Sequence, residues 1–309
     1  MNFAYLTHPD CAAHEMGAYH PESPQRVAAI HERLLAAGLL EHTLQPEPPL
    51  ATAAQIERAH HPRLIRTLQA SAPSSGYAAI DPDTTMNPHT WRAALRAAGA
   101  AVLATELICT GKVDRAFCNV RPPGHHATHS SAMGFCFLNN AAVGIHHALE
   151  VMGVERVALA DFDVHHGNGS EDIFAGDDRV LMLSTFQSPL YPHSGETPRG
   201  DNMINVALAP YSDGAAFRSA VERYWVGAFQ SFRPQLLFIS AGFDAHHEDD
   251  ISQLRWDDSD YAWVTRRLSA LADQYCGGRI ISTLEGGYAL PALARSAQAH
   301  VRELMRLTA

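Results

Sequence analysis

The sequence has no uncharged apolar run approaching the ~18 residues that a helix needs to cross a bilayer. Its first residues, MNFAYLTHPD, lack the basic and apolar stretches of a secretory leader. Cysteine is scarce: Cys11, Cys109, Cys118, Cys136 and Cys276 are an odd number with no CxxC spacing, which excludes a disulfide framework and a thiolate zinc site. Positive charge is also short. Lys and Arg number 23 against 33 Asp and Glu, so the surface suits neither nucleic acid nor anionic lipid, and a basic partner fits it better. Internal repeats, low-complexity segments and long charge runs are missing too. What remains is a soluble cytoplasmic protein whose 309 residues, 46% of them hydrophobic, can bury a large core.

The most loop-like pieces, 46–49 and 71–76, are too short to divide the chain, which reads as one domain over 1–309. A helix is expected over 24–37, with Ser23 as N-cap, Pro24 at the first helical position, a stripe of Val27, Ile30, Leu34 and Leu35, and Gly38 as stop. Alanine-rich helices are expected over 90–109 and 140–152. Five apolar runs, at 157–160, 180–183, 204–208, 236–239 and 280–284, are continuous rather than alternating, the pattern of strands covered by helices on both faces. Three of them lead into polar segments: ALADFDVHHGNG, SAGFDAHH and STLEGGY. Ligands of parallel α/β sheets bind beyond the carboxyl ends of the strands, so these segments should converge on one crevice.

Histidine is abundant, with 19 residues and adjacent pairs at His60/His61, His125/His126, His146/His147, His165/His166 and His246/His247, which invites metal or proton-transfer chemistry. In Asp161-Phe162-Asp163-Val164-His165, alternate side chains share one side of an extended chain. With Asp244 from a second strand end, Asp163 and His165 complete a three-ligand divalent site that leaves a position open to water. The donors suit zinc without distinguishing it from Fe(II), Co(II) or Mn(II). His125 and His126 lie in a Gly/Pro-punctuated loop, where packing gives no reason for them and proton transfer beside a metal does. Tyr288, presented by the two glycines of LEGGY, can donate to an oxyanion.

Taken in order, HPESPQR, RPPGHHA, GFCFLNN, DFDVHHGNG, SAGFDAH and LEGGY resemble the zinc-dependent histone deacetylase family, particularly its class II and bacterial amidohydrolase-like branch, from His20 to Tyr288. The resemblance implies an arginase/deacetylase-type α/β fold, an open, mainly parallel sheet of about eight strands flanked by helices. It implies Zn²⁺ on Asp163, His165 and Asp244, an amide carbonyl polarised by the metal and Tyr288, and His126 as general base and then acid. His125, paired with Asp161, would be the electrostatic partner. Asn168 stands behind His126 where some branches have Asp. Gly134 would offer its carbonyl to the substrate amide, Phe135 and Tyr191 would wall a channel for an acyl-lysine stem, and Arg26 would line an acetate exit. Tyr191 replaces a more usual Phe, and Asp250 an expected Pro. A K⁺ ion beside the zinc is implied at Asp161, the main-chain oxygens of Asp163 and His165, and Ser184. A second alkali-metal site is implied on carbonyls in 174–180.

The implied function is removal of acetyl or short acyl groups from lysine side chains or similar amines, with an acyl-lysine peptide or small acylated amine as partner and a homo-oligomer among the possible assemblies. Three rivals are weighed. An acetylpolyamine deacetylase would place a gatekeeping Glu where Ile251 stands. A two-manganese ureohydrolase needs a further carboxylate where Gly242 stands. An acyl-lysine binder without turnover has no use for His125, His126 and Tyr288 together. Of the remaining histidines, His60/His61 and His146/His147 are expected inside helices as structural or solvated residues, His246/His247 at the rim, and His166 in a core hydrogen bond. Asp81 and Asp83 read equally as a turn or as rim residues.

Overall fold

Strands that are apolar on both faces must be covered on both faces, and the computed structural model, which describes residues 2–307, has this arrangement for the runs at 157–160, 180–183, 236–239 and 280–284, whereas the run at 204–208 forms an edge strand that is half-exposed. The chain runs β1 (Phe3–Leu6), α1 (Pro9–Ala13), α2 (Gln25–Ala36), α3 (Ala53–Ile56), α4 (Pro62–Ser71), β2 (Ala78–Ala79), β3 (Thr85–Met86), α5 (Thr90–Cys109), β4 (Arg115–Cys118) and α6 (Asn140–Glu150). It continues with β5 (Val157–Asp161), α7 (Asn168–Phe174), β6 (Val180–Gln187), β7 (Met203–Leu208), α8 (Gly214–Ala220), α9 (Val226–Phe232), β8 (Leu236–Ala241), α10 (Asp258–Tyr275), β9 (Ile280–Leu284) and α11 (Leu290–Leu304). A π-helical stretch, Val221–Trp225, joins α8 to α9.

Seven strands form one sheet in the order β1-β4-β9-β8-β5-β6-β7, every neighbouring pair parallel. Successive residues of the central strands enter two different cores. Val157 and Leu159 of β5, with Leu236 and Phe238 of β8, pack on the side of α5 and α6. Ala158, Ala160, Leu237 and Ile239 pack on the side of α2, α10 and α11. Helix α6 begins where Asn139 accepts the Ala142 N–H, and α10 opens on a capping box of Asp257 and Asp260. Among the described residues no helix is long and apolar enough to cross a membrane.

The sheet has seven strands, not the eight expected. At its β1 edge the chain comes alongside once, with Leu44 bridging Ala4 in parallel and exchanging bonds with Phe3 and Tyr5. Pro46, Pro48 and Pro49 follow, and prolines cannot donate to a ladder, so the pairing stops at one bridge. Helix α2 starts one residue later than expected. Pro24 is already helical outside its first turn, Ser23 makes no side-chain cap, and Leu35 is 57% exposed instead of buried. Val27, Ile30 and Leu34 do form the buried stripe, with Arg26 beside them. His60 and His61 lie between α3 and α4 rather than in a helix, His61 capping α4.

Candidate active site

The order β4-β9-β8-β5 places four distant segments side by side at the carboxyl edge of the sheet. β5 ends at Asp161, and the chain then coils through two side-chain turns: the Asp163 N–H donates to Asp161 Oδ1 at 3.1 Å and the His165 N–H to Asp163 Oδ1 at 2.9 Å. The expected alternation therefore stops at Asp161. Its carboxylate turns toward His125, while Asp163 and His165 meet Asp244 from the end of β8. His165 Nδ1 lies 2.9 Å from Asp163 Oδ1 and 3.3 Å from Asp244 Oδ2, and one ligand atom from each residue lies within 4.8 Å of the others.

Three observations fit this cluster to a divalent cation. Asp244 Oδ2 is buried and accepts no hydrogen bond among the described residues. A Cβ at Gly286 would come within 2.0 Å of Asp244 Oδ2 and 2.5 Å of Asp163 Oδ2, so the space between the carboxylates requires glycine. Negative charge is in excess: burial and Asp163 push the Asp244 carboxyl up to about 6. Burial opposes charging of His165, yet Asp163 and Asp244 outweigh it and raise the ring to about 9. Buried carboxylates in this number are costly without a cation. Gly242 has no room for a further carboxylate, since its Cβ would lie 2.1 Å from Asp163 Oδ2.

The adjacent histidines have opposite surroundings. His125 Nδ1 is 3.0 Å from Asp161 Oδ2, and although burial disfavours its charge, Asp163 and Asp161 raise it to about 10. His126 Nδ1 is 2.7 Å from Asn168 Oδ1, a neutral acceptor, and burial with the neighbouring His125 and His165 holds it well below the usual histidine range. Its proton therefore sits on Nδ1, leaving Nε2 free to accept. Burial raises the Tyr288 phenol well above its ordinary value, which keeps it a donor.

A cavity of about 200 Å³ rises from this floor. His125, His126 and His165 line its bottom, Gly134, Phe135, Tyr191 and Tyr288 its walls, and Pro123, Gly286, Leu190, Ile251 and Asp83 complete the lining. Gly134 has φ +56° and sits against the His126 ring, which a Cβ would approach to 2.6 Å. Arg26 is not in the lining. It is buried behind Tyr288, bonded to the Gly287 carbonyl at 2.6 Å, to the Glu285 carbonyl, and to Glu22 at 2.9 Å, with its guanidinium 4.8 Å from the Tyr288 ring.

Ser184 pairs in register with Asp161, and its buried hydroxyl finds no partner among the described residues. The carbonyls of Phe174, Asp177 and Val180 converge on Nδ2 of Asn202, at 2.8, 3.0 and 2.9 Å. These three carbonyls lie in the 174–180 segment where the second alkali-metal site was implied. His166 bonds to Ser194 Oγ at 3.0 Å, as expected of a core histidine. His246 is buried with its Nε2 3.3 Å from Asp258, and His247 is exposed.

Sequence reasoning missed the groups that hold these residues. Glu285 Oε2 accepts the N–H groups of Gly124 and His125 at 2.7 and 3.0 Å, fixing the histidine loop, and burial raises it to about 7. His60 bridges the Thr128 carbonyl and the Asn139 N–H at 2.9 and 2.8 Å. Asp249 binds the backbone at Tyr288. Glu285 could have been singled out as an acid inside a motif already read for its tyrosine.

The family model described as histone deacetylase domain matches residues 20–304. A probable deacetylase of Archaeoglobus fulgidus is 35% identical over 291 residues, covering 92% of this chain and 80% of that protein. The histone deacetylase-like amidohydrolase of Pseudomonas aeruginosa is 33% identical over 278 residues, 88% of this chain and 73% of that one. The crystal structure of the HDA15 HD domain superposes with a TM-score of 0.92 at 30% identity, covering 99% of this chain and 88% of that one.

Proposed function

The chain belongs to the histone deacetylase family, and on that premise we propose that it is a zinc-dependent hydrolase removing acetyl or short acyl groups from lysine side chains or similar amines. The observation that carries this reading is the cluster of Asp163, His165 and Asp244 at the floor of a channel whose lining includes His126 and Tyr288. Zinc held by those three residues would supply Lewis acidity to water and to the amide carbonyl.

The remaining work falls to the chain. His126 Nε2, held neutral, takes a proton from the attacking water and hands it to the departing amine as the C–N bond breaks, a contribution of about 10²–10⁴-fold. The Tyr288 hydroxyl donates to the carbonyl oxygen as charge gathers there; loss of one such donor costs about 2.7–4 kcal/mol. His125, tied to Asp161, places a cationic ring beside the reacting centre. The Gly134 carbonyl accepts the substrate amide N–H, Phe135 and Tyr191 flank the methylene stem, and Arg26 stands on the route assigned to departing acetate. On this reading Asp161, the backbone oxygens of Asp163 and His165, and the Ser184 hydroxyl, which has no partner among the described residues, would hold K⁺.

Ile251 in the channel lining favours acyl-lysine over an acetylated polyamine, because it offers no carboxylate to a second ammonium group. Acetate release from an acetyl-lysine peptide should require metal-replete protein, and equal rates after chelation would overturn metal catalysis. Acetylputrescine run beside the peptide separates the two substrate classes.

A further inference from the structure

Tyr288 belongs to no strand or helix. It follows Gly286 and Gly287 in the loop between β9 and α11, and Gly287 has φ +116°. A hydroxyl on so pliable a loop can donate to a fixed carbonyl only if other groups hold the backbone. Arg26 does so from one side, through the carbonyls of Glu285 and Gly287. From the other side, Asp249 Oδ2 accepts the N–H groups of Tyr288 at 2.6 Å and Ala289 at 3.0 Å, while Oδ1 accepts that of Ile251 at 3.3 Å. Asp249 is only 6% exposed. It comes from the segment between β8 and α10, which also carries Asp244 and the channel residue Ile251. Ala289, the N-cap of α11, has no side chain able to cap, and Asp249 serves that end of the helix from 40 residues away.

Charge-assisted bonds to two consecutive N–H groups form a two-point support, and one of the two belongs to Tyr288 itself. We infer that Asp249 is a positioning residue: it acts through the Tyr288 backbone to aim the hydroxyl, and ties that aim to the loop shaping the channel. The inference rests on the role given to Tyr288 above.

The test is a double-mutant cycle on the full chain with an acetyl-lysine peptide, using D249A, D249N, Y288F and D249A/Y288F. D249A is expected to lower kcat about tenfold with KM changed by less than about twofold. D249N keeps one oxygen for both N–H groups and should recover most of the loss. In the Y288F background, where no hydroxyl remains to be aimed, Asp249→Ala should cost less than about twofold. Hydrogen exchange over 285–290, a readout independent of turnover, should accelerate in D249A and not in D249N. If D249A does not fold, D249S replaces it in the cycle. Equal losses in both backgrounds, or an unchanged kcat in D249A, would overturn the inference and leave Asp249 as a helix cap. Full activity of Y288F alone would instead overturn the role of the tyrosine, and this inference with it.

Discussion

At the floor of the channel, carboxylates are held by backbone N–H groups: Asp163 by His165 and Gly286, Asp244 by Val164, Glu285 by Gly124 and His125. Higher up, Phe135, Leu190, Tyr191 and Ile251 are half-buried, and the side-chain ties to their backbone include the Phe135 N–H to Thr84 Oγ1 at 3.0 Å and the Ile251 N–H to Asp249 Oδ1 at 3.3 Å. Bonds from backbone N–H groups in the loops just past the strand ends hold the floor carboxylates in place, whereas the walls are surfaces that substitution can reshape without uncovering a buried charge. On the proposed reading, the metal and proton chemistry falls mainly to the first region and selectivity to the second.

That contrast can be broken. The largest effect is expected from Gly286→Ala, whose methyl group would enter the space between Asp163 and Asp244. Turnover should fall at least about 10³-fold, with bound zinc lost in elemental analysis; a variant that keeps its zinc would mean the floor can yield. His126→Ala should keep the metal but lower kcat by about 10²–10⁴-fold, measured as acetate release.

A smaller effect concerns the support beneath the histidine loop. Burial depresses His60 to about 4 in the fold, against about 6.5 unfolded, so the unfolded chain binds the proton more readily. Its contribution is complete above pH 6.5 and is lost as pH falls toward 4, about 3 kcal/mol in all. Denaturant unfolding at several pH values should show a shallower acid slope for His60→Gln than for the parent chain, and equal slopes would refute this account. The smallest effect is at the channel lining. Ile251→Glu should raise the ratio of acetylputrescine to acetyl-lysine turnover about tenfold, or ~1.4 kcal/mol, with metal content unchanged; an unmoved ratio would remove that position from selectivity.

The same division governs what could be read from the residues alone. Strands β5 to β9 were legible because largely apolar runs have few other uses, Asp163, His165, Asp244 and Tyr288 because charged or reactive groups just after such runs need a purpose, and His125 and His126 because packing gives no reason for them in a Gly/Pro-punctuated loop. β1 and β4 were not legible. Each has four residues, and β4 opens with Arg115, whose burial makes sense only once Ser269, the Leu304 carbonyl and Asp273 are seen around its guanidinium. Glu285 and Asp249 escaped notice, and His60 was read only as structural or solvated, for a related reason. An isolated acid or histidine reads as solvated, and these act on N–H groups 161, 39 and 79 positions away. Asn202 is a similar case, an unremarked amide that gathers three carbonyls.

The strand order has a consequence for biosynthesis. β9 is the last strand of the sheet to leave the ribosome, yet it lies between β4 and β8. Until it inserts, a nascent chain holds its sheet in two unjoined parts, with the histidine loop on one and the carboxylate ligands on the other. Because domains fold as their elements emerge, the reactive pocket closes only near the end of translation, and a half-made chain has no assembled centre with which to act.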